Sequence, residues 1–252
     1  KTAKVTIDDC TFTNNGWSGT ALNTIASKDV TALLGYDSDA ADLQAFYAGA
    51  NASNGGAMRI EESTQLLIIG NTVTKNLRGI RVQDCGINGG GVISRNQSTQ
   101  NIESGIYIAA GSLGGCQNIT STMNVSAYNA NNGLLVIGGI NNKFSQNEVH
   151  YTGLGSNTEK IGLIITEAVG LLPANDKNII KIDDVGFIGQ DYAIDFSEVD
   201  LTNLQVALGD NSFMSIGEKG VKSPLAGDYF ELPFSNHTTK LNYVDISVDL
   251  TG

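Results

Sequence analysis

The chain contains four arginines, Arg59, Arg78, Arg81 and Arg95, all within one short stretch. Two of them sit in matching phrases, Met58-Arg59-Ile60-Glu61 and Ile80-Arg81-Val82-Gln83, and Tyr107 takes the arginine place in a third, Ile106-Tyr107-Ile108. If these phrases are stacked strands, the three residues form an outward column with steps of about 4.8 Å, and Glu61 and Gln83 form a second column two residues along. A guanidinium grips a carboxylate through a fixed fork of N–H donors, so an Arg, Arg, Tyr column beside a Glu, Gln column suits a polyanion such as a carboxylated sugar chain. The candidate binding residues are therefore Arg59, Glu61, Arg78, Arg81, Gln83 and Tyr107. Lys75, Arg78 or Tyr107 stand nearest to act as base or acid. A plainer use of the same arginines is pairing with Glu61, Glu62, Asp84 and the acidic stretch 37–42.

Other groups with chemical potential are sparse. His150 and His237 are far from the arginines in sequence, and His150, following the apolar Val149, is expected at the surface or in a turn. Asp8-Asp9, Glu61-Glu62 and Asp183-Asp184 are adjacent pairs, and neighbours on a strand face opposite ways, so none forms a carboxylate dyad by itself. Asp37 and Asp39 could hold calcium, but the glycine and distal glutamate of an EF-hand loop are missing; no resident cofactor is expected. The glycine runs at 89–91 and 138–139 do not open a helix after a strand, which argues against a nucleotide loop. Cys10, Cys85 and Cys116 are too few and too widely spaced for a zinc cluster; Cys85 and Cys116 are either a disulfide or two buried thiols.

The elements that must position these groups show themselves as a repeat. Ile68-Ile69-Gly70-Asn71-Thr72-Val73 leads to Asn76, Gly79 and Ile80-Arg81-Val82. The phrase returns as Ile93, Asn96, Ser98, Asn101, Gly105 and Ile106, and again as Ser121, Asn124, Ser126, Asn129, Gly133 and Leu134. Looser copies run through Ile7, Cys10, Phe12, Asn15 and Gly19, through Phe144, Asn147 and Val149, through Ile180, Asp183 and Val185, and through Leu208, Asn211 and Phe213. From Asn71 onward the copies stand 25, 28, 23, 36 and 28 residues apart. Two short strands per unit and no helical signal suit one coil of a parallel β-solenoid, an all-β fold. Asn and Gly accept the left-handed backbone that sharp corners need, and stacked asparagines can hydrogen-bond along the stack. Ile80 and Val82, Ile106 and Ile108, Leu134 and Val136, and Leu163 and Ile165 are expected to point inward.

Composition agrees with a single large β-rich domain. The chain has 252 residues, of which 41% are hydrophobic and 16% charged, with 30 glycines, 25 asparagines and 3 prolines. The formal charge of −11 excludes a phosphate-backbone partner held by clustered Lys and Arg, so no nucleic acid is expected. No apolar run reaches the roughly 20 residues that span a bilayer, so no membrane insertion is expected. The chain opens in an extended-looking segment, Lys4-Val5-Thr6-Ile7, with no signal peptide; a processed protein or a piece of a longer one is expected. Sequons at Asn51, Asn96, Asn118, Asn124 and Asn236 arise readily in so Asn-rich a chain.

The Asn-x-Val-x-x-Asn-x-x-Gly-Ile-x-Val phrase resembles the right-handed parallel β-helix repeat of the pectate-lyase-like superfamily, across residues 5–215 and most closely over 66–137. The resemblance implies coils over 1–215, with a loop insertion at about 20–55, and a C-terminal capping segment over 216–252 that ends in the alternating Val244, Ile246, Val248 and Leu250. It also implies a secreted or cell-surface setting and, if the protein is an enzyme, a polysaccharide lyase or glycoside hydrolase. The superfamily's catalytic signatures are absent: there is no Asp-Pro-His-Glu run, no Gly-His-Gly and no Arg-Ile-Lys. Two readings follow: a protein that binds an acidic polysaccharide, with cleavage by β-elimination left open, or a non-catalytic solenoid from an adhesin, tail fibre or surface layer. The second gains from Leu135, Ile137 and Ile164, which fall on the outward columns and would form an apolar stripe for self-association.

Overall fold

A strand whose inward side chains are Ile, Val, Leu or Phe gains about 1.5–3 kcal/mol for each one fully buried, which drives these short segments to stack. In the computed structural model, residues 4–13, 15, 57–153, 160–167, 178–200, 204–214, 220–224, 229–230 and 239–241 are described. The strands stack into three sheets, and from Lys4–Asp8 to Val221–Lys222 each pairs in parallel with its counterparts one coil away. Each coil therefore contributes three short strands, not the two expected, because the Gly91–Ser94 type of segment before each asparagine is itself a strand. One full coil runs from Gln65–Ile69 in the first sheet through Thr72–Thr74 in the second to Ile80–Gln83 in the third. Among the described residues there is no helix; the expected 20–55 loop insertion lies outside them.

The core is a column of inward side chains. Ile80, Ile106, Leu134, Leu163 and Ile194 follow one another in register, as do Val82, Ile108, Val136 and Ile165, and all are buried. The stacking runs on in parallel as far as Val221–Lys222. Two later segments, Tyr229–Phe230 and Thr239–Leu241, join the third and second sheets in antiparallel fashion. Most of the remaining 216–252 segment, including the alternating 244–250 stretch, lies outside the described residues.

Two columns of buried asparagine line the corners on either side of the second sheet. In the first, Asn71, Asn96, Asn124 and Asn147 are successive rungs, and each Nδ2 donates to the next Oδ1 at 2.9 Å. The same Oδ1 accepts the backbone N–H of the preceding rung, at 2.9, 3.0 and 3.1 Å. Each Nδ2 also reaches a carbonyl one coil back, as Asn96 does to Ile68 and Asn124 to Ile93. The second column, Asn15, Asn76, Asn101 and Asn129, repeats the pattern five residues further along the chain. Backbone groups at a buried corner cannot pair within a strand, so these amides satisfy them instead.

The asparagines are not the left-handed residues. Positive φ falls on the residue just before each rung: Gly70, Arg95, Met123 and Gln146 in one column, Lys75, Gln100 and Tyr128 in the other. The recurrent glycine has a different cause from the one expected. A Cβ on Gly79 would strike the Gly105 carbonyl oxygen of the next coil, so this position needs close approach rather than positive φ.

Pairing also corrects the alignment of one repeat copy. Phe144 stacks on Ile182, and Val149 on Phe187, so the rung after Asn147 is Val185 and not Asp183. Val185 is fully buried and cannot carry the amide chain, which resumes when Asn211 accepts the Val185 N–H at 3.0 Å. Cys10, in contrast, takes the first rung as expected, its N–H donating to Asn71 Oδ1 at 2.9 Å.

The ladder makes a sharp stability contrast. Replacing Asn96 by Leu removes four hydrogen bonds of a fully buried amide; the expected loss is about 3 kcal/mol, since buried groups are left unpaired. Gln97→Leu, at an exposed strand position next door, should change stability by no more than about 0.5 kcal/mol. Urea unfolding of both variants measures the difference.

Candidate functional site

The third sheet carries the arginine column as the spacing implies. Arg59 pairs in register with Arg81, Arg81 with Tyr107, and Glu61 with Gln83. The first column then continues through Leu135, Ile164, Asp195 and Lys222. Ile137 and Thr166 extend the second column. Leu135, Ile137 and Ile164 are half-buried rather than openly exposed.

Each arginine is turned along its own strand toward the residue two positions on. Arg59 donates from Nε and Nη2 to Glu61 Oε1 at 2.7 and 2.6 Å. With side chains 42% and 40% exposed, this ion pair is solvated and contributes little to stability. Arg81 donates from Nη2 to Gln83 Oε1 at 2.6 Å, and its guanidinium lies 5.0 Å from the centre of the Tyr107 ring. Its Nε–H is buried and finds no acceptor among the described residues. A neutral amide and an aromatic face hold this cation in place without cancelling its charge.

Arg78 stands at the corner before the same sheet and is engaged differently. Its Nε donates to Glu103 Oε2 at 2.5 Å, and that bond is the main cause raising its pKa above the usual arginine value; Tyr107 adds a lesser push in the same direction. Glu103 was not among the sequence candidates, although it stands 25 residues after Arg78, the same step that separates Asn76 from Asn101. Arg95 is exposed at the corner between the first and second sheets, away from this group.

Asp84, a candidate partner for the arginines, serves the backbone instead. It is buried, and its carboxylate accepts the N–H groups of Gly111, Leu113 and Gly115 at 2.9, 3.2 and 2.8 Å. It thereby ties down the loop that leads from the Tyr107 strand to Cys116. Cys85 and Cys116 are free buried thiols, whereas Cys10 is exposed. His150 lies in the strand Glu148–His150 rather than in a turn, half-buried, with Nε2 3.3 Å from Glu148 Oε2. Burial lowers its pKa, and Glu148 offsets part of that effect. Among the described residues no cluster of three His, Cys, Asp or Glu could hold a metal; Asp37 and Asp39 lie outside them.

The Asp84 arrangement has a direct check. Asp84→Asn exchanges one acceptor oxygen for an NH₂ facing backbone donors and should cost about 2 kcal/mol. Glu62→Gln, at the equivalent left-handed corner one coil earlier, should stay within about 0.5 kcal/mol. Limited proteolysis of the 110–116 loop, alongside thermal melting, reads both effects.

Comparisons with known proteins bear on the architecture. Residues 1–149, more than half of the chain, match the protein family described as right handed beta helix region. Among solved structures, a match is the crystal structure of the Agl-KA catalytic domain, at 15% identity and a TM-score of 0.33, covering 64% of this chain and 36% of that one. The chain thus spans about a third of that neighbour's length. No curated protein matches.

Proposed function

The chain belongs to the right-handed β-helix family, and from that premise we propose that it binds an acidic polysaccharide at the arginine end of its third sheet. Arg81 carries the reading. Among the described residues its charge meets no carboxylate and its Nε–H no acceptor, and it rests on the Tyr107 ring, which gives a sugar an apolar surface beside the cation. A uronate carboxylate that reached the Arg81 guanidinium would cancel the charge, and a turn of the side chain away from Gln83 would bring the buried Nε–H into the contact. One coil along, Arg59 adds a second cation about 4.8 Å away along the stack. An anion lying between the two guanidiniums removes their mutual repulsion. Glu61 already neutralises Arg59, so its share is smaller, and Gln83 fixes the orientation of Arg81. Arg78 is committed to Glu103 and acts at the edge of the site through Tyr107.

Cleavage by β-elimination requires a base near the sugar C5 proton. Lys75, Arg78 and Tyr107 stand nearest in the repeat, and Tyr107 is the one with its ring in the binding column. A second reading, a structural solenoid that self-associates through Leu135, Ile137 and Ile164, draws on the unbroken register of those half-buried side chains beyond Tyr107. In that reading the Arg59–Glu61 and Arg78–Glu103 pairs serve only the surface.

Polygalacturonate and alginate, tested by calorimetry at low and physiological salt, separate the two. Arg81→Ala and Arg81→Lys are both expected to weaken binding about ten- to a hundred-fold, because a charge-assisted bidentate contact is lost and a point charge does not replace it. Arg59→Ala should weaken it less, and the two alanine variants should reduce the salt dependence, whereas Arg81→Lys keeps the charge. Binding unchanged in the Arg81 variants, or no binding to any uronate polymer, would leave the structural reading. Absorbance of unsaturated chain ends in the same samples reports cleavage.

A further inference from the structure

Cys85 follows the strand Ile80–Gln83 that carries Arg81, and Cys116 follows Ile106–Ala109, which carries Tyr107, so the two thiols belong to consecutive coils. The coils are joined there by two bonds. The Cys85 N–H donates to Cys116 Sγ at 3.3 Å, and the Gln117 N–H donates to the Cys85 carbonyl at 2.8 Å. That pairing stacks the two cysteines as neighbours across a strand spacing of about 4.8 Å. A disulfide takes Cα atoms about 4.4–6.8 Å apart. Asp84, just before Cys85, binds the N–H of Gly115, just before Cys116, and so holds the two turns together. Neither sulfur packs merely as an apolar filler: Cys85 Sγ lies 3.3 Å from the Gln83 carbonyl oxygen, and Cys116 Sγ lies 3.7 Å from that of Ala109.

We propose that Cys85 and Cys116 are a dithiol pair that closes to a disulfide when the folded chain meets a small-molecule disulfide, stapling the Arg81 coil to the Tyr107 coil. The Cys85 thiolate attacks one sulfur of the oxidant, forming a mixed disulfide and releasing one thiolate. Cys116 then loses its proton and attacks Cys85 Sγ, expelling the second thiolate. The protein gives up two electrons and two protons, and the oxidant leaves as two thiols. The order of attack follows from the environment. A hydrogen bond from the Cys116 thiol lowers the Cys85 pKa to about 7, with a smaller contribution from the Ser63 backbone, against burial and the Asp84 charge. Cys116 is raised well above the usual thiol value by the same hydrogen bond and by its burial, so it keeps its proton until the second step. Both sulfurs are buried, so exchange waits on a local opening of the turn. This inference is independent of what the third sheet binds.

The test uses the folded chain with Cys10→Ser, which removes the exposed thiol, incubated with oxidised glutathione, then acid-quenched, alkylated in denaturant and peptide-mapped. The expected product is a Cys85–Cys116 cross-link with the loss of two hydrogens, no retained glutathione, and a melting temperature several degrees above the reduced form. Cys116→Ser should stop at a glutathione adduct on Cys85, forming faster as the pH rises. The chain in urea, exposed to the same reagent, controls for its potency. A folded chain that stays reduced while the urea-unfolded chain reacts would overturn the proposal. An adduct that persists on Cys85 with Cys116 intact would overturn it too.

Discussion

A parallel solenoid must turn its backbone sharply at each corner, and the polar groups at those corners are buried between coils where water cannot reach them. Here that constraint is met by side-chain amides. Each inner rung of the two asparagine columns, such as Asn96, offers one oxygen to the coil before it and its NH₂ to the coil after it and to a nearby carbonyl. The amide-to-amide bonds all run the same way along the axis, so each amide polarises the next. The columns fix the phase of every coil against its neighbours to a single residue. That phase is what sets Arg59, Arg81 and Tyr107 in one line on the third sheet, although they are separated by whole coils of chain. Where the amide is missing, at Val185, buried apolar contacts and strand pairing hold the stack, and the Val185 N–H donates to Asn211 of the next coil.

The five-residue step between asparagines was visible in the sequence because it is copied with the same phase in three successive coils, and a repeating side chain needs a repeating partner. The inward alternation of Ile80 and Val82 with Arg81 and Gln83 was visible for the same reason, since side-chain direction in a strand has period two. The third strand of each coil escaped notice because segments such as Gly91–Ser94 lack a strict apolar alternation; glycine and serine there pack against the next coil. The two-residue misplacement near Asp183 has a physical cause as well. A buried valine can fill the rung's space without repeating its chemistry, so a polar side chain two positions earlier looked like the better match. Left-handed corners at Met123, Gln146 and Tyr128 carry no composition signal, because the neighbouring asparagine makes them tolerable rather than their own side chains.

At the candidate site, position was legible and pairing was not. Register alone places Arg59 and Arg81 together, but only side-chain geometry distinguishes an arginine neutralised by Glu61 from one held by Gln83 and a tyrosine ring. Asp84 shows the same limit. Its sequence position beside the arginine strand pointed to an ion pair, yet a left-handed backbone turns its carboxylate toward three N–H groups of the following loop. The consequence is an arginine that no carboxylate among the described residues neutralises, held by Gln83 and the Tyr107 ring.

Exchange of the asparagine side-chain amide protons, followed by NMR in deuterated water, bears most directly on the central role of the ladder. Asn71, Asn96, Asn101, Asn124 and Asn129 are predicted to hold their Nδ2 protons as long as core backbone amides do, while those of the exposed Asn118 and Asn141 are lost at once. Ladder protons that exchange as fast as those of Asn118 and Asn141 would contradict it, and the register of the arginine column would then need another explanation.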